Sequence, residues 1–340
     1  MEMKCAIIDK TGKIEDNKLK IKEVELPKIS NNEILLKISA CGVCRTDLHI
    51  IEGDLGKDIK NVIPGHEIVG IVKEMGKEVK DVSIGERVGV AWLYRSCGVC
   101  EYCISGRENL CKNKEFTGFS RNGGYSEYVV ADSRFIFKIP EGFKDEEAAP
   151  LLCSGAIGYR SFKLTNPTPG STIAIFGFGG SAHLTAQLIK KLGHKVVVVS
   201  RNEKHLQLAK DLGADFVFSP KYGDVYTNLV DKNIENAIVF APSPIPIMNA
   251  LKVIKPGGRV VVSGIHIDGD INLDYDSQLF HEKMLLSVES YTREDMIEYL
   301  KLAFNLGIKP VYKTINLGDV NSALERLKKS EINGVEVIKF

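Results

Sequence analysis

The sequence predicts an α/β protein: a doubly wound parallel sheet joined to a mainly β domain. Three observations predict it. From about residue 170 to about residue 285, short runs rich in Val and Ile alternate with helical patterns. Before about residue 150 the apolar runs are short and β-rich, and Gly, Asn, Asp and Pro separate them. A glycine-rich turn joins the first strand of the alternating series to its first helix. At about 100–200 residues per domain, 340 residues suggest two domains.

The elements follow in order. "NEILLKISA", "EIVGIVKEM" and "ERVGVAWL" read as strands of the first domain. "STIAIF" is a buried strand, followed by the helical "SAHLTAQLIKKLG". "KVVVVS" and the helical "NEKHLQLAKDLG" repeat the unit. "DFVF", "NAIVF", the helical "PIMNALKVIK" and "GRVVVSG" complete the series. Continuous β-branched runs of this kind mark strands covered on both faces. The tail reads as two helices, "YTREDMIEYLKLAFNLG" and "LGDVNSALERLKKS", and a last strand, "GVEVIKF". It is expected to return to the first domain. The predicted domains are therefore 1–150 with 286–340, and 151–285.

Bulk properties exclude some functions. The net charge is +1, which argues against nucleic acid as the main partner, because phosphate binding needs an excess of Lys and Arg on one face. No run approaches the roughly 18 apolar residues of a membrane helix. The start, "MEMKCAIIDK", lacks the features of a signal peptide. A cytoplasmic location is expected, with the eight cysteines serving as thiols or metal ligands.

"AIFGFGGSAHL" places Gly177, Gly179 and Ala182 in the G-x-G-x-x-G/A pattern, with Gly180 opening the helix. The small residues allow a tight turn, close approach of backbone to a pyrophosphate, and packing of helix on strand. The helix N-terminus attracts the phosphates. This is the signature of a Rossmann dinucleotide site. An acid ending the second strand would select NAD, but Ser200 and Arg201 stand there. A hydroxyl and a guanidinium suit a 2′-phosphate, so NADP(H) is expected over NAD(H). Ser200 also fits a capping box with Glu203.

"RSCGVCEYCISGRENLC" brings Cys97, Cys100, Cys103 and Cys111 within fifteen positions, spaced C-x2-C-x2-C-x7-C. Four thiolates close a tetrahedral zinc and leave no open position, so this loop reads as a structural metal site. A second set is dispersed: "CGVCRTDLH" holds Cys44, "VIPGHEIVG" holds His66, and "APLLCSGAIGYRS" holds Cys153. Two Cys and one His form a catalytic zinc set with one position open to water or substrate.

In their order, "CGVCRTDLH", "GHE", the four-cysteine loop, "LLCSG" and "GFGG" resemble the zinc-dependent medium-chain alcohol dehydrogenases. The likeness is strongest to the propanol-preferring and cinnamyl-alcohol-dehydrogenase-like branches. The resemblance implies a GroES-like catalytic domain and two zinc ions per chain, one held by Cys44, His66 and Cys153. It implies that Glu67 enters the coordination sphere when water leaves, and that Asp47 orients His66. It assigns Arg45 to the cofactor pyrophosphate and proton transfer to Thr46 and then to His49, placed near the surface. Leu55 and Trp92 would line the substrate pocket, and Gly264, Ile265 and His266 would lie near the nicotinamide. A primary alcohol or aldehyde is the expected substrate. A homo-oligomer, tetramer or dimer, is implied by the same resemblance. Where the family often has a Thr four residues after the third ligand this chain has Ile157, and where it often has an Arg in the last strand this chain has Val335.

Two other readings are weaker. Polyol dehydrogenases of this fold tend to replace the later Cys by Glu, and Cys153 is present. A non-enzymatic zinc module would need a basic cluster around the cysteine loop. Cys5 and Cys41 match no ligand position and read as packing, and His183 reads as structural.

Overall fold

The computed structural model describes residues 1–56 and 58–340. The chain forms two compact units. The first comprises Met1–Cys153, Thr292–Phe304 and Pro310–Phe340; the second comprises Ser154–Tyr291 and Asn305–Lys309. The seams therefore fall after Cys153 and after Tyr291, where the sequence suggests 150 and 285. The difference brings Cys153 into the first unit.

The first unit is built on a seven-stranded sheet. Its order is Tyr312–Ile315, Val335–Lys339, Glu33–Val43, Glu67–Met75, Arg87–Val90 and Ile136–Lys138, with Tyr128–Asp132 also paired to Glu33–Val43. Strand Glu33–Val43 is the hub. It runs antiparallel to Glu67–Met75, setting Cys41 opposite Ile68 and Gly42 opposite Glu67. Its first half alternates toward solvent at Lys37, and its second half, Ala40 to Val43, is fully buried. The last strand, Val335–Lys339, pairs antiparallel with Glu33–Val43. Strand Tyr312–Ile315 is an addition that the sequence pattern does not reveal. It is a four-residue edge strand with two exposed residues, so it carries little periodic signal.

The second unit holds a six-stranded, wholly parallel sheet. The order is Phe216–Phe218, Lys195–Val199, Thr172–Phe176, Ile234–Val239, Arg259–Val262 and Met284–Ser287. Chain order reverses between Thr172–Phe176 and Ile234–Val239, as a doubly wound sheet requires. Alternate side chains go to two cores. Ala174, Phe176, Val197 and Val239 pack on one face with Ile247 and Leu251 of helix Pro244–Val253. Ile173, Ile175, Val198 and Ile238 pack on the other with Ala182, Ala186 and Ile189 of helix Gly180–Lys191. Both faces are covered, which is why these strands read as unbroken apolar runs. The sixth strand, Met284–Ser287, is half exposed at the sheet edge and straddles the boundary suggested at 285.

Candidate metal centre and cofactor loop

Strand Glu33–Val43 ends one residue before Cys44, which is the N-cap of helix Arg45–Glu52. Arg45, Thr46, Asp47 and His49 all lie on that helix. Strand Glu67–Met75 begins one residue after His66, and Gly65 makes the turn that feeds it. Gly65 has φ +97°, and a Cβ there would lie 2.8 Å from the Tyr125 amide nitrogen. Only glycine takes this turn without strain. Cys153 follows the turn Ala149–Leu152.

These elements bring one donor atom each from Cys44, His66, Glu67 and Cys153 within 4.8 Å of one another. Asp47 organises the cluster. It is fully buried and accepts hydrogen bonds from His66 Nδ1 at 2.9 Å, Gly65 N at 3.0 Å, Cys44 N at 3.1 Å and the Tyr125 hydroxyl at 2.8 Å. With Nδ1 engaged, His66 turns its buried Nε2, which makes no hydrogen bond, into the cluster. A buried imidazole nitrogen without a partner beside two thiols is the donor arrangement of a metal site. A hydrogen bond from Cys153 holds the Cys44 thiol well below its ordinary value and holds Cys153 well above. Burial works against a charge on His66, but the Asp47 carboxylate outweighs it and raises the imidazole well above its ordinary value.

The ring of Trp92 stands edge-on to His66, centroids 5.0 Å apart, and stacks on Phe116 at 4.5 Å. Leu55 is partly exposed, beyond the C-cap Gly53. Arg45 donates to the Leu327 carbonyl at 2.8 Å. His49, expected near the surface, is largely covered. It is 9 % exposed, and its Nδ1 lies 2.7 Å from Asp54 Oδ2. The left-handed Gly53 turns the chain so that Asp54 lies back against the helix end.

The four-cysteine loop forms a separate cluster. Its Sγ atoms lie 3.9 Å (Cys97 and Cys103), 3.5 Å (Cys100 and Cys103) and 3.6 Å (Cys111 and Cys97) apart. A tetrahedron with Zn–S bonds of about 2.3 Å has edges of about 3.8 Å, so the cage fits that ion. All four thiols are free of disulfides. Backbone N–H groups of Val99 and Cys100 pull Cys97 down to about 6, toward the thiolate a metal needs. Cys41 belongs to neither cluster: burial raises its thiol well above the ordinary value, and its Sγ points at the Gly42 carbonyl.

In the second unit, the loop residues Gly177, Gly179 and Gly180, Ser200 and Arg201, and Gly264, Ile265 and His266 follow the C-terminal ends of three parallel strands of one sheet. That is where open α/β sheets bind ligands. Gly177 has φ +86°, and a Cβ there would come 2.9 Å from the Ala241 amide nitrogen. A Cβ on Gly179 would meet nothing, so the backbone there faces open space at the helix start. Ser200 is buried and its hydroxyl accepts from Asn202 N at 3.3 Å, while Arg201 is exposed. The capping box expected from Ser200 is not formed. Asn202 is the N-cap, because its side chain accepts from Lys204 N and the helix starts one residue later, at Glu203. Ile265 is 45 % exposed and His266 half-buried.

Sequence reasoning missed Tyr125, Asp54 and Phe116. Tyr125 is 78 positions from Asp47, and nothing local marks it. Asp54 was within reach: His, three residues, Gly and Asp make a helix C-cap that folds the acid back onto the histidine.

Residues 30–141 match the family described as alcohol dehydrogenase GroES-like domain, and residues 180–330 the family described as zinc-binding dehydrogenase. An alcohol dehydrogenase of Geobacillus stearothermophilus is 39% identical over 340 residues, 99% of each chain. Among solved structures, a cobalt- and zinc-bound thermostable alcohol dehydrogenase from Pyrobaculum aerophilum aligns with TM-score 0.90 at 26% identity, covering 100% of both chains. Acetophenone reductase from Geotrichum candidum in complex with NAD aligns with TM-score 0.88 at 29% identity, covering 100% of this chain and 97% of that one. A GroES-like domain, a doubly wound dinucleotide fold, two thiol-rich donor clusters and relatives matched end to end all agree: the chain belongs to the zinc-dependent medium-chain alcohol dehydrogenase family.

Proposed function

We propose that the chain transfers hydride between a primary alcohol, or its aldehyde, and a nicotinamide dinucleotide, with NADP(H) preferred over NAD(H) and catalysis at a zinc held by Cys44, His66 and Cys153. One observation carries the reading. His66 is fixed by Asp47 at Nδ1 and presents a buried Nε2 to two thiols and a carboxylate, all within 4.8 Å. Zinc bound there would act as a Lewis acid toward an alcohol or carbonyl oxygen.

The chain's own residues do the rest. Asp47 fixes the tautomer and orientation of His66. Thr46 takes the proton of the alcohol and His49, buttressed by Asp54, passes it on. Glu67 is a fourth donor in reserve. Trp92, braced by Phe116, and Leu55 line the substrate pocket. The Gly177–Gly180 loop binds pyrophosphate, and Ser200 with Arg201 takes the 2′-phosphate. Arg45, in the first unit, has a cofactor-binding role of its own. Gly264, Ile265 and His266 lie near the nicotinamide. The Cys97, Cys100, Cys103 and Cys111 cage holds a second, structural zinc. The protein works as a cytoplasmic homo-oligomer, tetramer or dimer. No helix among the described residues is long and apolar enough to cross a membrane.

The test is a panel of primary and secondary alcohols and their carbonyl products, run with NADP and with NAD on metal-replete protein, alongside zinc counting. The expected outcome is turnover, a higher kcat/KM with NADP, and about two zinc ions per chain. A higher kcat/KM with NAD would refute the cofactor assignment. No turnover with any alcohol or aldehyde would refute the reaction.

A further inference from the structure

Gly42 and Glu67 face each other in register on neighbouring antiparallel strands. A Cβ built on Gly42 would fall 1.9 Å from Glu67 Oε2 and 3.0 Å from both its Cβ and its Cδ. The three atoms nearest to the missing side chain therefore all belong to Glu67. Gly42 is not among the glycines with left-handed backbone, so its conformation does not require glycine; the space does. Glu67 is wholly buried, and one of its oxygens lies within 4.8 Å of the donor atoms of Cys44, His66 and Cys153.

We propose that Gly42 is a positioning residue for Glu67: the slot left by its absent side chain gives the carboxylate a resting place beside the three donors and so keeps the fourth coordination position for substrate. The inference rests on the reading of Cys44, His66 and Cys153 as a metal site. With alanine at 42, an oxygen 1.9 Å from a carbon cannot stay. The two strands are tied by their ladder, so the flexible end of Glu67 gives way first. A metal held by its three neighbours would attract the displaced anion. Four protein ligands would then close the site, and a closed tetrahedral site has no place for an alcohol.

Cobalt(II)-substituted protein tests this. The visible bands of the site are those lost in Cys153→Ala, which separates them from bands of the four-cysteine cage. In the unsubstituted chain these bands are expected to shift when cofactor and 1-propanol are added. Gly42→Ala is expected to abolish that shift and to lower kcat about 10- to 100-fold, the range for groups that orient metal ligands. In a Glu67→Ala background, Gly42→Ala is expected to leave the shift intact, because the carboxylate it displaces is gone. A shift that survives Gly42→Ala overturns the proposal. So does a shift lost equally in both backgrounds, which marks a packing defect. Bands indifferent to Cys153→Ala overturn the metal-site reading itself, and the proposal with it.

Discussion

Asp47 takes four hydrogen bonds, two on each oxygen, from groups spread over three parts of the chain. An amide in its place has one accepting oxygen and cannot serve them all. Asp47→Asn is therefore expected to weaken zinc retention at the Cys44 site and kcat/KM by about 10- to 100-fold. It should also cost about 1–3 kcal/mol of stability, read by denaturant titration. Tyr125→Phe removes only one of the four bonds and should cost about 1 kcal/mol. Unchanged zinc content and turnover in Asp47→Asn would remove it as the group that orients His66. On the cofactor side, Arg201 is exposed and so is free to fold onto a phosphate. Arg201→Ala should lower kcat/KM with NADP by about tenfold or more, the loss of one charge-assisted contact, and leave the value with NAD nearly unchanged. Equal losses with both cofactors would reject the contact.

At the scale of elements, the first part of the four-cysteine loop packs little against the rest of the unit. Its short helix, Glu101–Ile104, has no buried residue, and Val99 and Ile104 are 77 % and 76 % exposed. Glu108 ties it further, buried and accepting from Arg293 N and Nε. Metal bound there would contribute its binding free energy to folding. Cys97→Ser is expected to lower the melting temperature and reduce zinc from about two to about one per chain, with hydride transfer retained in the molecules that stay folded. Loss of hydride transfer with zinc still at two would reverse the roles of the two clusters. Helix Gly180–Lys191 carries a second element-scale prediction. His183 is fully buried, and that burial holds its imidazole down at about 4, against an ordinary 6.5. The unfolded chain takes up this proton as pH falls below about 6.5, while the folded chain refuses it until about 4. Stability should therefore drop by up to about 3 kcal/mol across that window and level off below it. His183→Leu should flatten this part of the pH–stability curve. An unaltered slope would show that His183 is not the group responsible.

At the scale of the whole molecule, the inner strands of the second unit and the helices Gly180–Lys191, Glu203–Asp211 and Pro244–Val253 were legible because each carries its own apolar run or period. The same holds for the four-cysteine cage, whose ligands fit in fifteen positions. The half-exposed edge strands Met284–Ser287 and Tyr312–Ile315 were not legible, since an edge strand has neither a continuous apolar run nor a clean alternation. The cap of helix Glu203–Asp211 moved by two residues because Ser200 spends its hydroxyl on Asn202 and leaves the helix start to that residue. The contact of His49 with Asp54 depends on the left-handed Gly53 that folds the chain back at the helix end.

By itself the sequence determined the local chemistry: which strands are buried on two faces, where a dinucleotide loop opens a helix, and that two sets of soft donors are present. Only the tertiary structure decided how Cys44, His66 and Cys153 converge, that Asp47 is shared by four donors, and that Glu67 lies in the space Gly42 leaves empty. The physical reason is range. Propensity and periodicity act over a few residues, whereas these contacts depend on strand register and on the packing of segments tens of positions apart.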